Sequence, residues 1–273
     1  MKNRHIAVVI PFYDGLDTIQ ELVQRIALVF SKLPYDHQVI VVDDSADKVK
    51  RDTLHNWFRD DEKLSLITLS KNHGQHFATN QGLKVAKGCS VITIDEDLQY
   101  CPEDIPELIE VSLQGKFDVV YGNRKRRDWR YWGGRAMMAL FLPNGPGITC
   151  SFRMINKETV NKLINQDVNF CVLEGMIYGL NPNYGYANVQ FNNTGRGNNR
   201  SSYSMVKVFF LISNFIAFYS WFPIVSISIV CLIVQFLLFL NTGLLALFFL
   251  PISGVSVLTL TAYMSARTVQ NKP

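Results

Sequence analysis

The sequence predicts an α/β domain with a doubly wound sheet, followed by a two-helix hairpin in a membrane. Two observations lead to this prediction. Short apolar runs alternate with helix-like segments over residues 1–203, which is the pattern of consecutive βαβ units. From Val206 to Met264, by contrast, only Lys207 carries a formal charge. The two parts of the chain therefore belong to different environments.

Strands and helices are predicted to alternate along the first part. The continuous apolar run Ile6–Ile10 is typical of a central strand that is covered on both faces. Apolar residues then recur every three or four positions over 18–30, which predicts a helix. The further predicted elements are strand 38–42, helix 48–58, strand 64–69, helix 75–86, strand 90–94, helix 102–114 and strand 118–121.

Polar residues follow each of the first four predicted strands. They occupy 11–14, 43–45, 70–74 and 95–99. In open parallel sheets, ligands bind beyond the carboxyl ends of the strands. We therefore expect the functional site at these four strand ends.

Asp95, Asp97 and Gln99 follow the fourth strand and offer oxygen ligands. Mg²⁺ and Mn²⁺ prefer such ligands and often bridge one or two carboxylates to substrate phosphates. Acids with this spacing also occur in ordinary surface loops, so the pattern alone leaves that alternative open. Its position after a buried strand favours a metal site.

Two segments have the length and apolar character of membrane spans, residues 219–241 and 244–264. Arg196, Arg200 and Lys207 precede them, and Arg267 and Lys272 follow. This excess of positive charge places both ends in the cytoplasm. We predict a cytoplasmic domain over 1–203, a juxtamembrane amphipathic helix over 204–218 and a cytoplasmic tail over 265–273, in the plasma (inner) membrane. A buried hairpin in a soluble protein is the alternative.

Charge and cysteine content restrict the partners. The net charge of +4 is modest, and the basic residues cluster at 124–127, which suits phosphates or anionic lipid. Nucleic acid is a weaker interpretation because the chain continues into predicted membrane spans. The five cysteines lack the spacing of a metal site, and no secretory signal peptide is expected because the first apolar run is too short.

Several motifs, in this order and spacing, resemble those of a known family. They are VIPFYD at 9–14, VVDDS at 41–45, LSKNHGQHFATNQGLKVAKG at 69–88, DEDLQYCPEDIPEL at 95–108, VVYGNRK at 119–125, SFRMINKETV at 151–160 and RGNNRSSYS at 196–204. The chain resembles glycosyltransferase family 2, in particular the polyprenyl-phosphate sugar transferases related to dolichol-phosphate mannose synthase and the bacterial undecaprenyl-phosphate glucosyltransferases.

The resemblance implies a GT-A, Rossmann-like nucleotide-sugar-binding fold and a set of site residues. Asp95, Asp97 and Gln99 are the implied ligands of Mg²⁺ or Mn²⁺, and Asp95, Asp97 and Arg124 are the implied catalytic residues. The implied nucleotide-sugar-binding residues are Pro11, Tyr13, Asp43, Asp44, Lys71, Gly74, Asp95 and Glu96. Those implied to bind the acceptor or diphosphate are Arg124, Arg135, Arg196, Arg200, Ser201 and Tyr203.

Simpler roles remain open for some of these residues. Pro11 and Tyr13 also fit strand termination and core packing, and Asp43 and Asp44 also fit a cap on the next helix. The sequence departs from the family pattern as well. Gly15 stands where the family has Glu, Asn199 replaces a Gly, Ser202 replaces a Lys, and residues 147–150 lack an Asp.

The expected activity is inverting transfer of a sugar from a nucleotide diphosphate-sugar, with UDP favoured, to polyprenyl (undecaprenyl) phosphate. A phosphate monoester is largely dianionic at neutral pH, so no general base is required. Whether His73, His76 or Glu174 takes part is left open. A homo-oligomer, with a tetramer as one candidate, is expected from the family. The alternatives are a non-lipid acceptor or a non-catalytic membrane scaffold.

Overall fold

A computed structural model describes residues 5–86, 89–124, 145–147, 149–166 and 173–192. Contacts divide the chain into two units, Met1–Arg135 with Pro146–Arg200, and Ala136–Gly145 with Ser201–Pro273. The described residues other than Gly145 belong to the first unit. That unit is the subject of the following description.

Strands and helices alternate through the described part of the chain. The strands are β1 His5–Phe12, β2 Asp36–Asp43, β3 Leu64–Thr68, β4 Ser90–Thr93, β5 Val119–Arg124, β6 Arg153–Ile155 and β7 Tyr184–Val189. The α-helices are α1 Leu16–Phe30, α2 Lys48–Phe58, α3 Gln75–Val85, α4 Ile105–Gly115, α5 Lys157–Ile164 and α6 Leu173–Gly179, and a 3₁₀ turn, Pro102–Asp104, precedes α4.

Within these residues, the strands form one mixed seven-stranded sheet in the order β3-β2-β1-β4-β6-β5-β7. The pairs β1·β2, β1·β4, β2·β3 and β5·β7 are parallel. Strand β6 is inserted between β4 and β5 and runs antiparallel to both. The order reverses direction at β1, where the chain moves from β3 across to β4, and that reversal marks the place where ligands bind in such sheets.

Each face of the sheet carries its own apolar layer. On one face Ile6, Val8 and Ile10 of β1 pack with the apolar residues of α1 and α4. On the other face Ala7 and Val9 pack with α3, α5 and α6. Successive side chains of a strand point to opposite faces, so a strand covered on both sides must be apolar throughout. This explains the unbroken apolar run in the sequence of β1.

The predicted α/β class, the central position of the first strand and the predicted strands and helices through residue 121 are confirmed, with boundaries shifted by up to three residues. Strand β6, which the sequence did not predict, is antiparallel to both of its neighbours, so the sheet is mixed. The strand at residues 153–155 has only three residues, which is too short for a periodicity to show.

The predicted membrane segments, residues 204–273, lie outside the described residues. In the part of the chain that is described, no helix combines the length and the apolar character needed to cross a membrane.

Candidate active site

Loops that follow β1, β2, β3 and β4 meet at one edge of the sheet because these strands run parallel. The backbone N–H of Asp44 donates to the carbonyl of Phe12, and that of Leu69 donates to the carbonyl of Asp43. Each strand end is thereby tied to its neighbour. The polar residues that follow β1, β2, β3 and β4 are thereby brought to one edge.

Asp44 connects the end of β2 to the loop that precedes α3. Its two carboxylate oxygens accept hydrogen bonds from the backbone N–H groups of His73 and Gly74, each at 2.7 Å. Gly74 has φ +91°, a conformation that residues with a Cβ rarely adopt. Asp44 therefore holds the loop that contains the exposed Lys71 against the sheet edge.

Asp43 is fully buried at the end of β2. Its Oδ1 accepts hydrogen bonds from the backbone N–H and the hydroxyl of Ser45, at 3.0 and 2.6 Å. Within the described part of the chain, its Oδ2 has no hydrogen-bond partner and lies 4.0 Å from the Nε of Arg51. The cap of α2 is Asp47, whose carboxylate accepts from the N–H groups of Val49 and Lys50. The capping alternative for Asp43 and Asp44 was therefore wrong.

Glu96 fixes the loop that follows β1. Its carboxylate accepts hydrogen bonds from the backbone N–H groups of Tyr13 and Asp14, at 2.9 and 3.0 Å. Burial raises the pKa of Glu96, although these bonds act in the opposite direction. The side chain of Tyr13 is 52% exposed at the sheet edge, and Pro11 lies within β1, paired with Val42. Core packing is therefore the wrong interpretation for Tyr13, and strand termination is wrong for Pro11.

The carboxylate of Asp95 is held from two sides. Its Oδ1 accepts from the side-chain amide of Gln75 at the start of α3, and its Oδ2 accepts from the hydroxyl of Ser151, both at 2.5 Å. Asp97 is buried, and its Oδ1 accepts from the backbone N–H of Gln99 at 3.1 Å. The carbonyl of Gln99 accepts from the backbone N–H of Asn192 at 2.8 Å.

These residues fit a hard divalent cation by the chemistry of their donors. Asp95 and Asp97 supply carboxylate oxygens and Gln99 an amide oxygen, the ligand types that Mg²⁺ and Mn²⁺ take. Among the described residues no group of three or more His, Cys, Asp or Glu side chains is arranged to hold a metal. Mg²⁺ in particular is commonly bound by one or two protein carboxylates, and substrate phosphates and water complete its coordination.

Arg124 ends β5 and is exposed, with its guanidinium held over aromatic rings. The guanidinium carbon lies 3.6 Å from the centroid of the Phe191 ring, and Nε donates to the hydroxyl of Tyr100 at 3.2 Å. Burial raises the pKa of Tyr100, which keeps its hydroxyl neutral. With respect to the described residues, stacking and one hydrogen bond leave the other guanidinium N–H groups of Arg124 as donors for an anion.

A buried ion pair lies behind this edge, and the sequence did not predict it. Arg153 of β6 contacts Glu174 of α6, whose carboxylate also accepts from the hydroxyl of Tyr121 at 2.8 Å. The side chain of Arg153 is 4% exposed and that of Glu174 is 14% exposed. Glu174, whose part in catalysis the sequence leaves open, is thus engaged in an internal contact. The available signal was an arginine within the apolar segment 152–155.

The two histidines occupy different environments. The ring of His73 is stacked on that of Phe77 at a centroid distance of 4.3 Å, in the exposed loop before α3. His76, in the first turn of α3, is half-buried, and burial lowers its pKa. The predicted acceptor-side residues Arg135, Arg196, Arg200, Ser201 and Tyr203 lie outside the described residues.

Comparison with known proteins identifies the family and the fold. The family model described as "Glycosyl transferase family 2" matches residues 7–178. The undecaprenyl-phosphate 4-deoxy-4-formamido-L-arabinose transferase of Pseudomonas fluorescens is 30% identical over 167 residues, which are 58% of this chain and 49% of that protein. The enzyme of the same name from Aeromonas hydrophila is 36% identical over 123 residues, 45% of this chain and 37% of that protein. The chain thus spans about half or less of the length of these curated relatives.

Among solved structures, glucosyl-3-phosphoglycerate synthase from Mycobacterium tuberculosis, in complex with Mn²⁺, UDP and glucosyl-3-phosphoglycerate, superposes with a TM-score of 0.58 at 19% identity. The match covers 78% of each chain. At this identity the likeness shows the fold alone, a GT-A, Rossmann-like α/β fold with a mixed sheet. Because the family model covers more than half of its length, the chain belongs to glycosyltransferase family 2 and is a sugar-transferring enzyme.

Proposed function

We propose that this enzyme transfers a sugar from a nucleotide diphosphate-sugar, with UDP the favoured nucleotide, to undecaprenyl phosphate, with inversion at the anomeric carbon. The product is a sugar linked to the lipid through phosphate, of use in cell-envelope glycan assembly or modification. Related proteins named undecaprenyl-phosphate 4-deoxy-4-formamido-L-arabinose transferase support the acceptor. The solved structure with Mn²⁺ and UDP, of similar fold, supports the donor and the metal.

The observation that carries the proposal is the grouping of acidic residues at the carboxyl edge of four parallel strands, with Arg124 at the end of β5 on the same side. Strand β5 runs in the same direction as β4, since both are antiparallel to β6. Buried Asp43 and the loop held by Asp44 suit a nucleoside. Asp95, Asp97 and Gln99 suit a metal bound to diphosphate, and Arg124 suits a phosphate.

Within this arrangement the residues position two anionic substrates and stabilise charge. The chemistry supplied by bound Mg²⁺ or Mn²⁺ is neutralisation of negative charge on the leaving diphosphate. Asp95 and Asp97 hold that metal with Gln99, and Arg124 binds a phosphate oxygen through its planar N–H groups. The acceptor phosphate is largely dianionic at pH 7 and attacks without a general base. Orientation of the two substrates then accounts for much of the acceleration.

Residues beyond the described part complete the proposal. Arg135, Arg196, Arg200, Ser201 and Tyr203 are proposed to bind the acceptor or diphosphate. The segment 204–218 is proposed to lie at the membrane interface, with spans at 219–241 and 244–264 and the catalytic domain in the cytoplasm. A homo-oligomer, with a tetramer as one candidate, is proposed by analogy with the family.

The experiment is sugar transfer by the purified full chain in detergent or liposomes. The assay supplies undecaprenyl phosphate, a panel of UDP- and GDP-sugars, and Mn²⁺, Mg²⁺ or EDTA. The active chain is compared with Asp97→Asn and with the matched control Asp60→Asn, whose carboxylate is 87% exposed. We expect a lipid-linked product that requires metal and falls by about 100-fold or more in Asp97→Asn, as when one transition-state charge contact is lost.

The control variant should retain full activity. Metal-dependent hydrolysis of a nucleotide-sugar without a lipid product would indicate that the acceptor is not a lipid phosphate. The absence of any metal-dependent binding or turnover would overturn the proposal and favour a non-catalytic scaffold.

A further inference from the structure

Strands β4 and β6 place two polar pairs on one face of the sheet. Thr93 lies opposite Arg153 in the antiparallel ladder. Residues two apart point to the same face, so Asp95, after Thr93, and Ser151, before Arg153, occupy the next position on that face. The hydroxyl of Ser151 donates to Asp95, as this register requires.

A continuous path of contacts runs from the ion pair to Asp95. Glu174 contacts Arg153, and the Nε of Arg153 donates to the hydroxyl of Thr93 at 3.1 Å. That hydroxyl in turn donates to the carbonyl of Ser151 at 2.5 Å. Ser151 is thus held by Thr93 through its backbone and holds Asp95 through its hydroxyl. Every link is made by a residue that is buried or half-buried.

Stability alone is a poor reason for an ion pair at this position. Removing two charges from water costs several kcal/mol per ion by typical values, and apolar replacements of such pairs are often equally stable or more so. Arg153 lies among buried strand residues, next to Met154 and Ile155. An ion pair at such a cost is explained if it fixes the position of a nearby functional side chain.

We propose that the Arg153–Glu174 pair and Thr93 form a positioning relay for Asp95. The relay sets the position of Ser151, and Ser151 with Gln75 fixes the orientation of the Asp95 carboxylate for the divalent cation. Arg153, Glu174 and Thr93 are positioning residues that touch neither metal nor substrate. The inference rests on the proposed function, since it assumes that Asp95 binds the metal.

The test is Mn²⁺ affinity, measured on the full chain in detergent from loss of the free Mn²⁺ EPR signal. Titrations contain UDP or GDP, whichever the transfer assay selects. Thr93→Val removes the hydroxyl that links Arg153 to Ser151, and Thr93→Ser keeps it. Thr159→Val is the matched control, because Thr159 is equally buried but lies in α5, outside the relay.

We expect Thr93→Val to weaken Mn²⁺ binding by about tenfold, the lower end of the range for residues that orient metal ligands. Thr93→Ser and Thr159→Val leave the contacts that orient Asp95 in place. Their Mn²⁺ affinity should therefore stay within about twofold of that of the unaltered chain. Thermal melting of each variant verifies that it is folded. Equal affinity in Thr93→Val and Thr159→Val overturns the relay.

The ion pair is tested by a double variant, Arg153→Met with Glu174→Gln, which leaves no unpaired buried charge. Weakened Mn²⁺ binding in this folded variant supports a positioning role, whereas unchanged binding assigns the pair to folding alone.

The variant Asp97→Asn distinguishes failure of the relay from failure of the proposed metal site. If Asp97→Asn weakens binding and the relay variants do not, only the relay fails; if Asp97→Asn binds Mn²⁺ normally, the proposed metal site fails.

Discussion

The side chain of Glu96 occupies the space beside Gly15, which has no side chain of its own. A Cβ built on Gly15 would lie 2.9 Å from the side-chain carbons Cγ and Cδ of Glu96. That is closer than real Cβ contacts permit, so a side chain at position 15 would displace Glu96 from the N–H groups of Tyr13 and Asp14. The departure from the family pattern at Gly15 therefore leaves room for Glu96, whose carboxylate accepts hydrogen bonds from this loop.

His37 gives a pH-dependent prediction. Its ring is buried and stacked on Phe30 at 4.5 Å, and burial lowers its pKa. In the unfolded chain the pKa of a histidine is about 6.5. The unfolded state therefore binds a proton first as the pH falls. Stability is fully present above that unfolded pKa and is lost as the pH falls through it towards the folded pKa.

We expect His37→Phe, which keeps a planar ring but cannot titrate, to lose less thermal stability than the unaltered chain on moving from neutral to mildly acidic pH. Differential scanning fluorimetry at several pH values measures this difference. His76, whose pKa is also lowered by burial, is present in both proteins and cancels in the comparison. His55→Phe, at an exposed position on α2, is the control; an equal acid-induced loss in all three proteins would refute the assignment to His37.

Helix α3 packs unusually close to the sheet through Gly82. A Cβ at this position would lie 2.3 Å from a methyl carbon of Val9, a fully buried residue of the central strand. Valine is branched at Cβ and has little freedom to move away. This close approach brings the start of α3, with Gln75, to Asp95.

We predict that Gly82→Ala destabilises the domain, although alanine favours helices. Overpacking of a core typically costs about 1–3 kcal/mol, against a gain in helix propensity of about 1 kcal/mol. The expected result is a lower melting temperature, measured by differential scanning fluorimetry. Gly179→Ala is the matched control and should leave the melting temperature nearly unchanged. An added Cβ at this end of α6 meets no atom of the described residues within 4 Å, apart from its chain neighbours and its own helix backbone. Equal melting temperatures for the two variants would show that α3 can move away from β1.

The chain as a whole joins the sugar-transferring domain to a long apolar region, and the proposed spans make a direct prediction. The full chain should stay in the membrane pellet during alkaline carbonate extraction, because two spans of about 20 apolar residues each resist release. A chain ending at residue 203 should be released into the supernatant. Removal of only 265–273 is the control and should leave the protein in the pellet. Release of the full chain would exclude an integral membrane hairpin.

The amino-acid sequence alone was enough to predict the α/β class, the strands and helices up to residue 121, and the set of acidic residues at strand ends. It could do so because burial on both faces demands continuous apolar runs, and parallel strands place all their carboxyl ends at one edge. Helix α2 was predicted with its observed bounds, Lys48–Phe58, from such local patterns.

The contacts that hold the site together are visible only in the folded domain. The antiparallel insertion of β6, the clasp of Asp44 on Gly74, the fit of Glu96 beside Gly15 and the pairing of Arg153 with Glu174 all join residues distant in the chain. Local periodicity carries no information about such partners, because hydrogen bonds and ion pairs depend on which strands become neighbours. That order is set by the packing of helices on both faces of the sheet, which a single sequence pattern does not encode.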